Sequence, residues 1–176
     1  MTGPTGRFIH TRFGPRQVTD LLQTIFAAEL VAPSKTLWIV SPWISDIPVL
    51  DNRTNMFTTI AGDWQRSEIR LAAVLARLLQ QGTTVHIASR PDDHNREFLE
   101  RLAILASDGA RWLQAHLTST LHEKGILGDG FYLSGSMNIT YNGISFNQEV
   151  LHYVTEPASV ASNRQLFTEW WGGAVL

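Results

Sequence analysis

The sequence predicts an α/β layered fold in a single domain over residues 1–176, with a central, mostly parallel mixed sheet flanked by helices. Segments of helical period alternate with short β-branched runs over the first two thirds of the chain. The last third changes to strands joined by a tight hairpin signal. The 176 residues are 44% apolar and 17% charged, with no cysteine, enough to build one ordinary core without a disulfide or structural metal.

After a Gly- and Pro-rich opening, Val18, Leu21, Leu22, Ile25 and Phe26 recur at helical spacing from about Gln17 to Ala32, and Pro33 stops that helix. Leu37–Val40 is a buried-strand pattern ending in Ser41-Pro42. Residues 43–63, with Pro48, Asp51, Asn52, Asn55 and Gly62, show no clean period and read as a functional loop. Ile69, Ala72, Ala73, Leu75, Ala76 and Leu79 form one face of a second helix, ended by Gly82, and Thr84–Ala88 follows as a strand. Asp92 or Asp93 caps a third helix carrying Phe98, Leu102 and Leu105 up to a stop at Gly109, and Trp112–Ala115 is a third strand. Asp129-Gly130 between Gly125–Gly128 and Phe131–Leu133 is a two-residue hairpin. A strand over Glu149–Val154 and a helix over about Ala158–Trp171 close the chain.

Composition narrows function. Twelve arginines and two lysines, Lys35 and Lys124, stand against sixteen acids for a net charge of −2, which speaks against coating nucleic acid by bulk charge. Without cysteine there is no thiolate zinc site, iron–sulfur cluster or thiol nucleophile. No apolar stretch is long enough for a signal sequence or a membrane span, so a soluble cytoplasmic protein without a membrane partner is expected. His10, His86, His94, His116 and His152 have no metal-ligand spacing and read as surface or structural residues; no metal or other cofactor is expected.

The chemistry concentrates in HEKGILGDGFYLSGSMN, residues 122–138, followed by Asn147-Gln148-Glu149. On an extended segment His122 and Lys124 share a face. A neutral imidazole can attack phosphorus while the ammonium offsets charge on the phosphate oxygens. Ser136 and Asn138 stand in the same i, i+2 relation and offer a hydroxyl and an amide to those oxygens. Lys124 is also an exception in an arginine-dominated chain, as a site needing a compact, rotatable ammonium would require.

The pattern His122-x-Lys124, four residues, Asp129, then Gly135-Ser136 and Asn138, resembles the signature of the phospholipase D superfamily. Six specified positions match by chance with a probability on the order of 10⁻⁶ to 10⁻⁵ in a chain this long, so the signal is specific. The resemblance implies a phospholipase D-like fold and metal-independent phosphodiester chemistry in which His122 becomes a phosphohistidine. Glu149 matches the family's acidic partner, which would hold the other ring nitrogen and fix the tautomer. Asp129 belongs to the pattern, but an Asp-Gly turn selects Asp for backbone reasons too; we expect it to shape the turn rather than move protons. Ser41 and Trp43, at the end of an early strand, are candidates for lining the substrate cleft.

Double displacement needs a second acid–base group, which the family takes from a second copy of the motif. Lys35 is preceded two positions earlier by Pro33, so this chain has one His-x-Lys. The resemblance therefore implies a homodimer with His122 from each chain at one phosphate, similar to small single-motif bacterial nucleases. Residues 1–16 carry Arg7, Arg12 and Arg16 without an acid, interleaved with Phe8 and Phe13, and read as an arginine arm for a phosphate backbone. DNA cleavage, in the manner of the cutting subunit of a bacterial restriction or defence complex, is the leading expectation. A phospholipase or phosphatidyltransferase, and a non-catalytic nucleic-acid-binding subunit, are the alternatives.

Overall fold

A computed structural model describes residues 6–10, 15–145 and 149–172. Arg12 and Phe13 of the arm, and Asn147-Gln148 before Glu149, lie outside the described residues. The main sheet has seven strands in the order β1-β9-β8-β7-β2-β5-β6. These are β1 (Gly6–His10), β2 (Thr36–Val40), β5 (Thr84–Ser89), β6 (Leu113–Leu117), β7 (Gly125–Leu127), β8 (Tyr132–Gly135) and β9 (Val150–Val154). β2 pairs in parallel with β5, and β5 with β6; the pairs β2–β7, β7–β8, β8–β9 and β9–β1 are antiparallel. The sheet is thus mixed: β1, β2, β5, β6 and β8 point one way, β7 and β9 the other.

Alternation along the strands sorts side chains into two cores. Leu37 and Ile39 of β2, Val85 and Ile87 of β5, Ile126 of β7 and Leu133 of β8 face α1 (Pro15–Val31), α2 (Leu71–Gln80) and α3 (Asp93–Ala106). Trp38, Val40, Ala88, Leu127 and Tyr132 face the other way, onto Val160 and Phe167 of α5 (Pro157–Trp171), which follows the short α4 (Tyr141–Ser145) and β9. β2 is covered on both sides, which is why Leu37–Val40 reads as an unbroken apolar run.

The stretch 43–63 is not a loose loop. Ile44, Ile47, Val49, Leu50 and Phe57 are buried in the larger core. β3 (Pro48–Asp51) pairs with β4 (Glu68–Arg70) in a separate two-stranded sheet. Buried Asn52 organises the turn between them, accepting the Phe57 N–H at 3.1 Å and donating to the Gln65 carbonyl at 2.9 Å. Ile69 accordingly belongs to β4 and not to the second helix: Arg70 is extended, with φ −88° and ψ 158°, and α2 starts after it.

Asp92 caps α3 by accepting the His94 N–H at 3.0 Å. The helix ends at Ser107, φ 51°, rather than at Gly109. Gly109 serves a different end, since a Cβ there would lie 2.8 Å from the Gln80 backbone nitrogen, so its bareness lets the 3-10 turn over Ser107–Trp112 approach α2. Part of the expected arm is also structured: Gly6–His10 pairs with Val150–Val154, and Phe8 stacks on His152 at 4.2 Å. No helix among the described residues is long and apolar enough to cross a membrane.

Candidate active site

The residues singled out at 122–124, 136–138 and 149 meet at one edge of the sheet. Strands β2, β5 and β6 end there, β7 begins there, β8 ends there and β9 begins there. Such an edge, outside the carboxyl ends of parallel strands, is where open α/β sheets bind ligands.

His122 and Lys124 precede β7 in a segment without regular secondary structure. The alternation expected of them holds. Leu121 packs in the core beneath α5, and Glu123 accepts the phenolic O–H of Tyr132 from that core at 3.3 Å. His122 and Lys124 therefore take the opposite side. Burial, reinforced by the Glu123 carboxylate, holds the Tyr132 phenol well above its ordinary range, so it stays a donor. Lys124 Nζ donates to the His122 carbonyl at 2.6 Å, which keeps the ammonium next to the histidine's own backbone.

Ser136 follows β8, and its hydroxyl donates to the Glu149 carboxylate while accepting the Val150 N–H at 3.1 Å. The sequence reading expects Glu149 to hold His122; its contact with Ser136 joins the hydroxyl of the Gly-Ser pair to the start of β9. Gly135 is required at the bend before Ser136. Its φ is +154°, and a Cβ would sit 2.1 Å from the Val150 carbonyl oxygen. Asn138 Oδ1 is buried and makes no hydrogen bond among the described residues, leaving an acceptor unsatisfied at the site.

Ser41 does not line the cleft. It is fully buried, donates to the Trp43 carbonyl at 2.8 Å and accepts the Ile139 N–H at 3.2 Å, so it ties the end of β2 to the residue after Asn138. Trp43 is 39% exposed. Asp129 lies at the far end of β7, seven residues from His122 and so on the order of 20 Å away along an extended chain. Its carboxylate accepts the Lys35 N–H at 2.8 Å and its N–H donates to Ser34 Oγ at 2.7 Å. It shapes the hairpin, whose Gly128 N–H donates to the Phe131 carbonyl at 3.0 Å.

Two residues enter that the sequence reading missed. Arg90, just beyond β5, places its guanidinium carbon 4.7 Å from the Trp43 ring centroid and its Nη2 3.3 Å from both ring nitrogens of His122. Asn95 of α3 is buried; it accepts the Ile44 N–H at 2.9 Å and donates to the carbonyls of Pro42 at 2.8 Å and Arg90 at 2.9 Å. It thereby joins the loops that carry Trp43 and Arg90. Neither lies in the motif, and the only local sequence signal beside Arg90 is Pro91, which cannot continue a strand ladder.

No curated protein sequence matches the chain. Among solved structures, NucT from Helicobacter pylori superposes with a TM-score of 0.61 at 13% identity, covering 93% of each chain. Nuc from Salmonella typhimurium, a phospholipase D family member, gives 0.61 at 12% identity, covering 93% of this chain and 91% of that one. Phosphatidylserine synthase from Haemophilus influenzae gives 0.62 at 11% identity, covering 97% of this chain but 37% of that one. These likenesses establish the shared fold. The family model described as cardiolipin synthase, PLD-like domain, matches residues 28–171, a span that holds His122, Lys124, Ser136, Asn138 and Glu149, and the chain belongs to this phospholipase D-like family.

Proposed function

We propose that the chain is a metal-independent phosphodiesterase, a nuclease acting on DNA through a phosphohistidine at a site shared by two copies of the chain. The observation that carries this reading is the placement of His122 and Lys124 on one side of one segment, at the sheet edge that also bears Ser136, Asn138 and Glu149. An unprotonated ring nitrogen of His122 attacks phosphorus, and the bond to the leaving oxygen breaks. His122 of the second copy gives that oxygen a proton. The same imidazole then takes a proton from water, whose oxygen displaces His122 and releases a phosphate monoester. Lys124 offsets charge on the non-bridging oxygens in both steps. One His-x-Lys per chain is the reason for invoking two copies.

DNA is favoured by Arg7, Arg12 and Arg16 in an N-terminal stretch without acids. A restriction or defence complex is the setting that fits a small cutting subunit. The description of the matching family model favours a second reading, phosphatidyl transfer or lipid hydrolysis by the same two steps.

Purified protein incubated in EDTA with single- and double-stranded DNA, RNA and phosphatidylglycerol vesicles, beside His122→Ala, tests these readings together. DNA cleavage that survives EDTA and vanishes in the variant is expected. Cleavage abolished by the chelator would sink the metal-independent mechanism, and turnover of lipid alone would select the second reading. Light scattering should give a dimer; an active monomer would refute the shared site.

A further inference from the structure

Arg90 touches two rings. Its guanidinium lies at cation–π distance from Trp43. Its Nη2 lies 3.3 Å from Nδ1 and 3.3 Å from Nε2 of His122. That equality fixes the geometry. The two nitrogens flank Cε1, so a point equidistant from both lies on the plane bisecting the ring through Cε1. Within the ring plane, at this separation, the point would collide with Cε1; Nη2 therefore lies off that plane. An imidazole lone pair points outward within the ring plane, so Arg90 packs against the ring without consuming the nitrogen that must attack.

Arg90 is anchored once through its guanidinium and twice through its backbone. Nε donates to the Leu121 carbonyl at 2.9 Å, the residue immediately before the histidine. Asn95 grips the Arg90 carbonyl at 2.9 Å, and the Arg90 N–H donates to the Pro42 carbonyl at 3.4 Å. Among the described residues Nη1 has no acceptor. Lys124, meanwhile, is drawn onto the His122 carbonyl. A phosphate whose phosphorus approaches a ring nitrogen in the imidazole plane brings its non-bridging oxygens beside a guanidinium already seated just off that plane.

We infer that Arg90 is the site's second phosphate-binding cation, held against the His122 ring by Trp43 and Leu121; this rests on the phosphodiesterase reading above. A planar fork can pack against an indole and an imidazole and still aim N–H groups at phosphate oxygens. An ammonium at the same place offers a point charge without the stacking face. Trp43 acts through Arg90 as a positioning residue.

Inorganic phosphate titrated into wild type, Arg90→Ala and Arg90→Lys, followed by 31P NMR, tests the inference without requiring turnover. The dissociation constant should rise by about tenfold or more in Arg90→Ala, the loss of one charge-assisted contact. It should rise less in Arg90→Lys. Millimolar guanidinium ion should restore Arg90→Ala where equal potassium chloride does not, and on a cleaved phosphodiester the same salt should restore kcat. Phosphate affinity and kcat unchanged in Arg90→Ala would overturn the inference while leaving the phosphodiesterase reading intact. A loss that guanidinium does not restore, accompanied by a lowered melting temperature, would also overturn it by making Arg90 structural. Rescued phosphate binding in a protein that cleaves no phosphodiester would instead remove the phosphodiesterase reading and leave the anion site standing.

Discussion

Asp129 and Lys35 are joined across the sheet edge opposite His122: the Asp129 carboxylate accepts the Lys35 backbone N–H at 2.8 Å, and its other oxygen lies 3.1 Å from Arg164 of α5. The turn of the β7–β8 hairpin is thereby tied to the start of β2. Asp129→Ala should destabilise the fold by about 1–2 kcal/mol through the lost backbone partner, the half-exposed ion pair adding little. Urea unfolding measures this. Turnover per folded molecule should stay within a factor of about two; a collapse of kcat with stability retained would place Asp129 in the chemistry after all.

Gly135→Ala should cost more than about 2 kcal/mol, because the new methyl meets the Val150 carbonyl in a backbone conformation that disfavours side chains. Relief requires the β8 end to move, which carries Ser136 away from Glu149. Thermal unfolding and the rate of phosphodiester cleavage should fall together.

Asn95→Ala removes three hydrogen bonds to the backbone and leaves the Ile44 N–H unpaired, while the Pro42 and Arg90 carbonyls keep the N–H groups of Arg90 and Asp92. A loss of about 3 kcal/mol is expected. Because those groups hold the Pro42 and Arg90 loops, phosphate affinity should weaken in the folded variant as well. Native phosphate binding in folded Asn95→Ala would show that the loops hold their places without the amide.

His86 and His116 give the fold a pH dependence outside the site. Nδ1 of His86 lies 3.0 Å from Nε2 of His116, and Trp38 stacks on His86 at 3.9 Å. Burial, aided by His116, pushes His86 down to about 4 from its ordinary 6.5, and burial also lowers His116. Between about pH 6.5 and pH 4 the unfolded chain binds protons that the folded one refuses, so stability declines as pH falls through that window and is complete above it. His86→Phe keeps an aromatic face for Trp38 and should flatten this part of the urea midpoint-versus-pH curve. An unchanged slope would assign the acid loss to His116 and the carboxylates instead.

The alternating helix and strand signals, the Asp129-Gly130 hairpin and the shared side of His122 and Lys124 were legible because each depends on spacing within one continuous segment. β1, β3 and β4 were not: they are short, and their pairing partners are distant in the chain, so no local period marks them. Ile69 at the end of β4 fits the helical pattern of α2 by spacing alone. The buried ends of β2 explain Ser41, whose hydroxyl holds the Asn138 loop from within.

The sequence by itself determined which side chains make up the family's motif, that the sequence holds one His-x-Lys, and that a layered α/β sheet would present it. Only the tertiary structure decided what stands beside His122. Strand order sets β7 against β2 and β2 against β5, so the loop after β5 delivers Arg90 to a histidine 32 positions later, while Asp129, inside the motif, is carried to the opposite edge. Spacing along a strand fixes the side on which a residue lies; which neighbours share its edge depends on how the chain crosses over, and that is settled by burying two faces of one sheet at once.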